Sequence, residues 1–253
     1  MSQRRWSSHS GPVQLSYPAQ NRYTGARSVT WKVFLMAEQV GFEGARAHMV
    51  DSQVRPNHVS DERVIAALRH LPREAFAPDA TLAYADNDIA LGAGRYLLKP
   101  VVTARLAQLA LSTNPAHVLV IGAGSGYLAA ILAASGTQVV ALEEEARLQT
   151  GALAAYAPCV ESVSGKLDAG WPSGGPYDVI VIEGAVRSIP AALAAQVVPG
   201  GRVVTVLATT NEDGGIGRAV SAQVAGEGFV VTPEFDATAH LLPQLAPAPE
   251  FVF

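Results

Sequence analysis

A glycine-rich turn is the stretch of this sequence with the clearest chemical meaning. It lies between a β-branched segment, residues 118–121, and an alanine-rich segment, residues 127–133. Such a turn joins a strand to a helix N-terminus, whose free backbone N–H groups can bind a ligand that glycine lets approach closely. The spacing G-x-G-x-G, rather than the dinucleotide spacing G-x-G-x-x-G, favours a nucleoside cofactor, most often S-adenosylmethionine. The predicted cofactor-binding residues of the turn are Gly122, Ala123, Gly124, Ser125 and Gly126.

An acidic residue follows at the distance where this kind of turn has a partner for the ribose. A second β-branched segment, residues 138–142, ends at Glu143, which is 21 residues after Gly122. About 20 residues is the separation at which an acidic side chain binds the ribose hydroxyls. The alternatives are that the glycines only make a tight connection, and that Glu143 belongs with Glu144 and Glu145 to a solvated acidic helix start. We predict that Glu143 binds the ribose.

The composition describes a globular protein with a large core, because 49% of the 253 residues are hydrophobic and 16% are charged. A net charge of −4 argues against a broad surface for nucleic acid or anionic membranes. The six histidines do not combine with cysteine at metal-ligand spacing, so we predict no metal site. No apolar run approaches the about 20 residues of a membrane span. The single cysteine, Cys159, forms no intramolecular disulfide, which favours the cytoplasm, and we expect its thiol to be buried.

Three parts of the chain differ in pattern. Residues 1–37 contain five basic residues and no acidic one; a targeting peptide is possible there, but we favour an extension or disordered tail. Residues 38–116 carry helical patterns, one of which Ser60 can cap, and we expect an N-terminal helical and substrate-side segment. Residues 117–253 alternate strands and helices and predict a Rossmann-like domain that binds S-adenosylmethionine.

The third part predicts the fold class. Strands are expected at residues 117–121, 138–142, 160–164, 177–183 and 201–208, and helices at 126–134, 145–155 and 190–197. Apolar strands that alternate with helices predict a parallel sheet covered on both faces. Residues 218–224 and 229–235 predict an antiparallel hairpin, and residues 251–253 are expected to pack back on the domain. The fold is therefore α/β: a Rossmann-like, doubly wound, mostly parallel sheet with an antiparallel edge hairpin, preceded by N-terminal helices.

A series of short motifs follows in an order that is specific to one family. They are residues 54–56 (VRP), 72–76 (PREAF), Tyr84 with Asp86, 91–94 (LGAG), 121–127 (IGAGSGY), 170–172 (GWP), 176–178 (PYD) and 189–202, which begins with IP and ends with VPGGR. In these motifs the chain resembles the protein-L-isoaspartate O-methyltransferases, a branch of the Rossmann-like S-adenosylmethionine-dependent methyltransferases. The resemblance implies methyl transfer to the free α-carboxylate of an isoaspartyl residue in a damaged protein or peptide. A carboxylate is already a nucleophile, so such a site mainly aligns it with the methyl group and excludes water.

The chain departs from the family pattern where the substrate carboxylate would bind. The family usually has Thr-Ile-Ser-x-Pro, and its serine hydroxyl lies near the methyl group. Leu98 takes the place of that serine and offers neither a donor nor an acceptor, so the catalytic residue is unknown. Arg95 and Lys99 could attract the carboxylate and Tyr96 could donate a hydrogen bond, or all three could be ordinary loop or packing residues.

A second departure concerns the adenine. The family usually has Gly-Asp-Gly after the third strand, and its aspartate accepts a hydrogen bond from the adenine amino group. This chain has Lys166 and Leu167 there, with Asp168 two positions late, and a lysine side chain is a donor only. Either Asp168 reaches back, or stacking and backbone groups at Lys166 and Leu167 hold the adenine. Losing the hydrogen bond costs about 1.5–3 kcal/mol, roughly 10- to 150-fold in affinity.

We therefore weigh two functions. The leading hypothesis is an S-adenosylmethionine-dependent carboxyl methyltransferase acting on isoaspartyl residues. The alternative, motivated by Leu98 and Lys166, is a divergent family member that binds the cofactor or a peptide but has lost or altered methyl transfer. A dinucleotide-dependent oxidoreductase is disfavoured by the glycine spacing of the turn.

Overall fold

The computed structural model describes residues 41–145, 151–209, 213–226 and 228–245. The expected extension or tail at residues 1–37 and the expected packing of residues 251–253 lie outside this part of the chain. So does the beginning of the helix predicted from residue 145.

The N-terminal segment is helical, as the sequence predicts. Helix α1 covers residues 41–49 and continues into a π-helical turn, Val50–Val54, and a 3₁₀ turn, Arg55–Asn57. The further helices are α2 (Glu62–His70), α3 (Arg73–Phe76) and α4 (Pro100–Leu111). The cap of α2 is Asp61 rather than Ser60: the Asp61 carboxylate accepts a hydrogen bond from the Arg63 N–H, while the Ser60 N–H donates to Gln108. The predicted cap is therefore one residue too early.

A seven-stranded sheet forms the centre of the fold, in the order β5-β4-β3-β6-β7-β8-β9. Its strands are β3 (His117–Ile121), β4 (Gln138–Glu143), β5 (Glu161–Ser164), β6 (Tyr177–Val186), β7 (Val197–Ala208), β8 (Ile216–Ala225) and β9 (Gly228–Thr238). Strands β3 to β7 pair in parallel, and β8 and β9 are antiparallel at one edge. A separate antiparallel hairpin consists of β1 (Ile89–Gly92) and β2 (Arg95–Leu97). The predicted fold class is confirmed.

Both faces of the parallel sheet are buried. Val118 and Val120 of β3 pack in the core that contains α4 and α5 (Tyr127–Ala134), whereas Leu119 and Ile121 pack in a second core on the opposite face. This alternation follows from the two-residue repeat of a strand. The strand order reverses at β3, with β4 on one side and β6 on the other, and ligands of doubly wound sheets bind at such a point, beyond the carboxyl ends of the strands.

Two local predictions need correction. The helical segment predicted at residues 190–197 is a 3₁₀ helix, Ala191–Gln196, and β7 begins directly after it. The buried Gln196 side chain accepts a hydrogen bond from the Trp171 N–H and donates to the Ala169 carbonyl, which fixes the end of this short turn. The thiol of Cys159 is exposed, because the residue lies in the turn between α6 (Gly151–Tyr156) and β5.

Candidate active site

The glycine-rich turn connects β3 to α5 at the carboxyl edge of the sheet. Gly122, Gly124 and Gly126 have φ angles of 73°, 54° and 88°, a range that residues with a Cβ rarely adopt. The Gly122 and Ala123 N–H groups donate to the Leu142 carbonyl, which ties the turn to β4. The turn is therefore fixed relative to two neighbouring strands, and three of its positions require glycine because of their backbone conformation.

The β1–β2 hairpin lies directly against this turn. A Cβ on Gly122 would be 2.5 Å from Nη2 of Arg95, and a Cβ on Gly124 would be 2.9 Å from Cδ1 of Leu91. A Cβ at either position would require the Arg95 or the Leu91 side chain to shift. Ala123 and Ser125 of the turn are buried, so the exposed surface of the turn is small.

Glu143 is fully buried beside the turn, and its carboxylate has a complete set of hydrogen-bond donors. Its Oε2 accepts from Nη2 of Arg95 at 3.0 Å and from the Gly124 N–H at 2.8 Å. Its Oε1 accepts from the N–H groups of Glu144 at 2.9 Å and Glu145 at 3.2 Å. A carboxylate has about four acceptor sites, so these donors occupy all of them. The position of Glu143 suits a ribose ligand, and that role stays a prediction.

Arg95 is buried as well, with a side chain that is 2% exposed. Its Nη2 donates to the Gly122 carbonyl in addition to Glu143. Its Nε and Nη1 have no hydrogen-bond partner among the residues that the structure describes. Two buried nitrogens of one guanidinium can donate hydrogen bonds to an oxygen ligand such as a carboxylate. Of the three candidates from sequence, Arg95 is the one that contacts the turn.

The other side of β3 carries a second buried carboxylate, Glu183 in β6. It is 5% exposed, and its Oε2 has no partner in the described part of the chain. Burial raises the pKa of Glu183 to about 8, and the neighbouring charge of Glu143 adds to this, whereas Arg95 and Arg73 act in the opposite direction. A carboxyl group with this pKa is mostly protonated near neutral pH.

Arg73 completes the group of buried charged residues at this edge of the sheet. Its Nε donates to the Ala83 carbonyl at 2.7 Å and its Nη2 to the Leu98 carbonyl at 2.6 Å, while Nη1 has no partner within the described residues. Burial lowers the pKa of its guanidinium. We call Arg73, Arg95, Glu143 and Glu183 the buried charge cluster.

Sequence reasoning missed Arg73 and Glu183 as site residues. Glu183 had a detectable signal, because it is a charged residue that directly follows the apolar strand residues 179–182. Arg73 had no such signal beyond its place in the PREAF motif. The hairpin, α3 and two strands bring the cluster together from segments far apart in sequence, which no local pattern reveals.

The remaining substrate-side candidates contact other parts of the fold. The Leu98 side chain is 1% exposed and packs in the core on the α4 face, while its carbonyl accepts hydrogen bonds from Arg73 and from Thr103 Oγ1. The Tyr96 ring stacks on His240, with centroids 3.5 Å apart and an angle of 9°. Lys99 lines a pocket together with Arg105 and Phe235. Whether Tyr96 or Lys99 takes over the role of the serine hydroxyl stays a prediction.

The predicted adenine-side residues follow β5. Leu167 is fully buried in the second core, so only its backbone is available to a ligand. Lys166 and Asp168 are exposed. The Gly165 N–H donates to the Glu143 carbonyl, which places this loop next to the acidic strand end. Whether Lys166 and Leu167 contact an adenine stays a prediction.

Residues 41–245, apart from the gaps named above, contain neither a candidate metal cluster nor a candidate membrane-spanning helix. No group of three or more His, Cys, Asp and Glu side chains there could hold a metal ion. In the same residues, no helix has both the length and the apolar character needed to cross a membrane.

Comparison with known proteins identifies the family. The sequence profile of protein-L-isoaspartate(D-aspartate) O-methyltransferase matches residues 45–219 of this chain. The chain belongs to the protein-L-isoaspartate(D-aspartate) O-methyltransferase family. The resemblance inferred from the ordered motifs is thereby confirmed.

Named relatives agree with the family profile. The protein-L-isoaspartate O-methyltransferase of Methylorubrum extorquens is 42% identical over 166 residues, which cover 63% of this chain and 72% of that protein. The protein of the same name from Xanthomonas euvesicatoria is 34% identical over 215 residues, covering 78% of this chain and 95% of that protein.

Two solved structures share the fold. A protein-L-isoaspartate O-methyltransferase structure superposes with a TM-score of 0.67 at 21% identity, covering 79% of this chain and 67% of that one. A Plasmodium falciparum structure of this class, in complex with S-adenosyl-L-homocysteine, superposes with a TM-score of 0.66 at 13% identity, covering 80% of this chain and 98% of that one. At these identities the likeness concerns the fold alone.

Proposed function

We propose that this protein transfers a methyl group from S-adenosylmethionine to the free carboxylate of isoaspartyl residues in damaged proteins or peptides. The observation that carries the proposal is the turn at residues 122–126, held against the buried carboxylate of Glu143 at the point where the strand order reverses. Family membership supports the reaction type, because the family and the relatives above bear the name of this activity.

The residues present fit the cofactor. The turn offers three glycines without Cβ atoms, and Glu143 stands on the adjacent strand at the level of the turn. We propose that the turn and the N-terminus of α5 hold the cofactor, with Glu143 on the ribose and the backbone of Lys166 and Leu167 at the adenine. When bound, S-adenosylmethionine supplies an electrophilic methyl group on its sulfonium. A ribose hydroxyl needs a free acceptor site on the Glu143 carboxylate, so the hydrogen bond from Nη2 of Arg95 to that carboxylate has to break.

The chain itself has three tasks in this reaction: to orient the substrate carboxylate, to exclude water and to balance charge. Before the cofactor binds, two guanidinium groups of the buried charge cluster lie near two carboxyl groups, of which that of Glu183 is mostly protonated near neutral pH. We propose that the unpartnered N–H groups of Arg95 and Arg73 attract the substrate carboxylate. This replaces the orientation that a serine at position 98 would give.

We also propose the finer assignments that rest on sequence. Residues 38–116 form the substrate-side segment and residues 117–253 the cofactor-binding domain. A protein or peptide bearing isoaspartate is the partner, and the cytoplasm is the site of action, in keeping with the single cysteine. A nucleic-acid partner is disfavoured by the net charge of −4.

The test is methyl transfer from labelled S-adenosylmethionine to an isoaspartyl peptide, beside the same peptide with normal aspartate. We expect label on the isoaspartyl peptide only. Calorimetry with S-adenosylhomocysteine supplies an independent measurement of cofactor binding. Binding without transfer would favour the alternative, a divergent member with lost or altered methyl transfer, for which the apolar, buried Leu98 is the specific observation.

A further inference from the structure

The saturated carboxylate of Glu143 conflicts with its proposed role as a ribose ligand. Three of its donors are backbone N–H groups: one is in the turn, at Gly124, and two directly follow β4, at Glu144 and Glu145. Its fourth donor, Nη2 of Arg95, is a side-chain group that can move without changing the backbone. A ribose hydroxyl that donates to Glu143 therefore displaces Arg95 and leaves a buried guanidinium without its carboxylate, which is costly.

We propose that Arg95 exchanges carboxylate partners: it pairs with Glu143 in this structure and with Glu183 when the cofactor ribose binds Glu143. The proposal rests on the proposed function, because it requires a cofactor of the S-adenosylmethionine type. It makes Arg95 and Glu183 positioning residues of the cofactor site.

The register of the sheet places the two carboxylates on either side of Arg95. Ile121 of β3 pairs with Leu142 of β4 and with Ile182 of β6, and the two glutamates directly follow those partners. Leu142 and Ile182 both pack in the second core, so the next residue in each strand faces the opposite side of the sheet.

The distance between the two positions is short. One strand separates Glu143 from Glu183, so their backbones are about 10 Å apart. The Arg95 guanidinium lies over that middle strand, because it donates to the carbonyl of Gly122 at the end of β3. A change of side-chain rotamer therefore suffices to move it from one carboxylate toward the other.

Glu183 and Arg95 both have buried polar atoms without a hydrogen-bond partner in the described part of the chain. Glu183 has an unpartnered Oε2, and Arg95 has an unpartnered Nε and Nη1, within the described part of the chain. Glu143 and Glu183 are the two buried acidic residues there, so a displaced Arg95 has one other buried carboxylate to pair with. Arg95 also has the largest effect among the cations that lower the pKa of Glu183.

A proton accompanies the exchange. The charged and titratable groups that face Glu183 are Arg95 from β2, Arg73 from α3 and Glu143 from β4. Direct pairing with Arg95 stabilises the ionised form of Glu183, so its proton leaves for solvent when the cofactor binds. Cofactor binding therefore releases a proton and becomes tighter as pH rises toward the pKa of free Glu183.

The experiment counts protons by calorimetry. S-adenosylhomocysteine is titrated into the full-length protein close to pH 7 in buffers of different ionisation enthalpy. We expect the unaltered protein to release roughly 0.5–1 proton per ligand. Glu183→Gln, which cannot ionise, and Arg95→Met, which cannot exchange, should release close to none. Arg218→Met removes an arginine from an exposed ion pair with Asp236 and should leave the proton count unchanged.

The outcomes separate this inference from the proposed function. Equal proton release by the unaltered protein and Glu183→Gln overturns the exchange and leaves the proposed function standing. Binding more than tenfold weaker in Arg95→Met would make Arg95 a ligand of the cofactor and would also overturn the exchange. Binding by Arg95→Met but not by the unaltered protein makes Arg95 a block rather than an exchanging group. No binding by any of these proteins overturns the proposed function together with the exchange. If Arg95→Met does not fold, Arg95→Lys keeps the charge and should retain the proton release.

Discussion

Replacing Glu183 by glutamine should raise the free energy of unfolding, and the gain should grow with pH. Glutamine has the shape of a protonated glutamate but carries no charge at any pH. Burial raises the pKa of Glu183 from its ordinary value of 4.5 to about 8. Between these two values the folded protein binds more protons at this site than the unfolded chain does, so stability falls as pH rises. The favourable contribution of Glu183 is complete below the ordinary pKa and is lost as pH passes through the folded pKa.

The two pKa values set the size of the effect. By proton linkage, the difference between the two pKa values lowers the unfolding free energy of the unaltered protein by about 3 kcal/mol between about pH 5 and 7.5. Changes that other groups cause add to this loss. Glu183→Gln removes this term and keeps the others. The difference in unfolding free energy between the two proteins should therefore increase by about 3 kcal/mol over that range.

The assay is urea unfolding of both proteins at several pH values from about 5 to 7.5, with equal m-values as the check for comparable transitions. Glu161→Gln, at an exposed strand carboxylate, is the control and should show no such trend. A pH-independent offset added to this trend would arise from the hydrogen bonding of the new amide and says nothing about charge. A difference that does not change with pH would refute the assignment of Glu183 as a buried carboxyl that is protonated near neutrality.

Three further results are expected. Gly124→Ala should lower the free energy of unfolding by about 1–3 kcal/mol more than Gly136→Ala in chemical denaturation, because both positions have positive φ but only the first brings its Cβ within 2.9 Å of Leu91; equal losses would mean that the hairpin does not pack on the turn. Glu143→Gln should weaken S-adenosylhomocysteine binding at least about tenfold in calorimetry while the exposed Glu144→Gln does not; unchanged affinity would return Glu143 to a structural role. Leu98→Ser should lower the unfolding free energy by about 2–4 kcal/mol, because the Leu98 side chain lies in the core. It should not raise the methyl-transfer rate on an isoaspartyl peptide. A faster reaction would show that position 98 reaches the substrate.

Much of the fold was predictable because its causes are local. Strands β3 and β4 are predicted by their β-branched segments. The three glycines between β3 and α5 are needed because the turn has positive φ angles at their positions. The same local cues failed where the tertiary structure decided the outcome. The 190–197 segment has a helical pattern, but the contacts of Gln196 with the neighbouring loop hold it as a short 3₁₀ helix.

The order of the motifs determined the family, and the spacing from Gly122 to Glu143 placed an acid beside the turn. The partners of that acid were set by the tertiary structure. Arg95 is 48 positions away from Glu143 in sequence, and the β1–β2 hairpin delivers it to the same buried position. From its residue type, Arg95 could be either a solvated loop residue or a carboxylate ligand. In the folded protein it is buried in an ion pair with Glu143.

The sequence by itself thus determined the sheet, the turn and the family, because hydrophobic periodicity and glycine spacing act over a few residues at a time. Only the tertiary structure decided which charges are buried together. Glu183 and Arg73 are separated by more than a hundred positions and influence each other only because β6 and α3 meet at one edge of the sheet. Burial strengthens electrostatic interactions between such groups, so the chemistry of the site depends on contacts that no stretch of sequence contains.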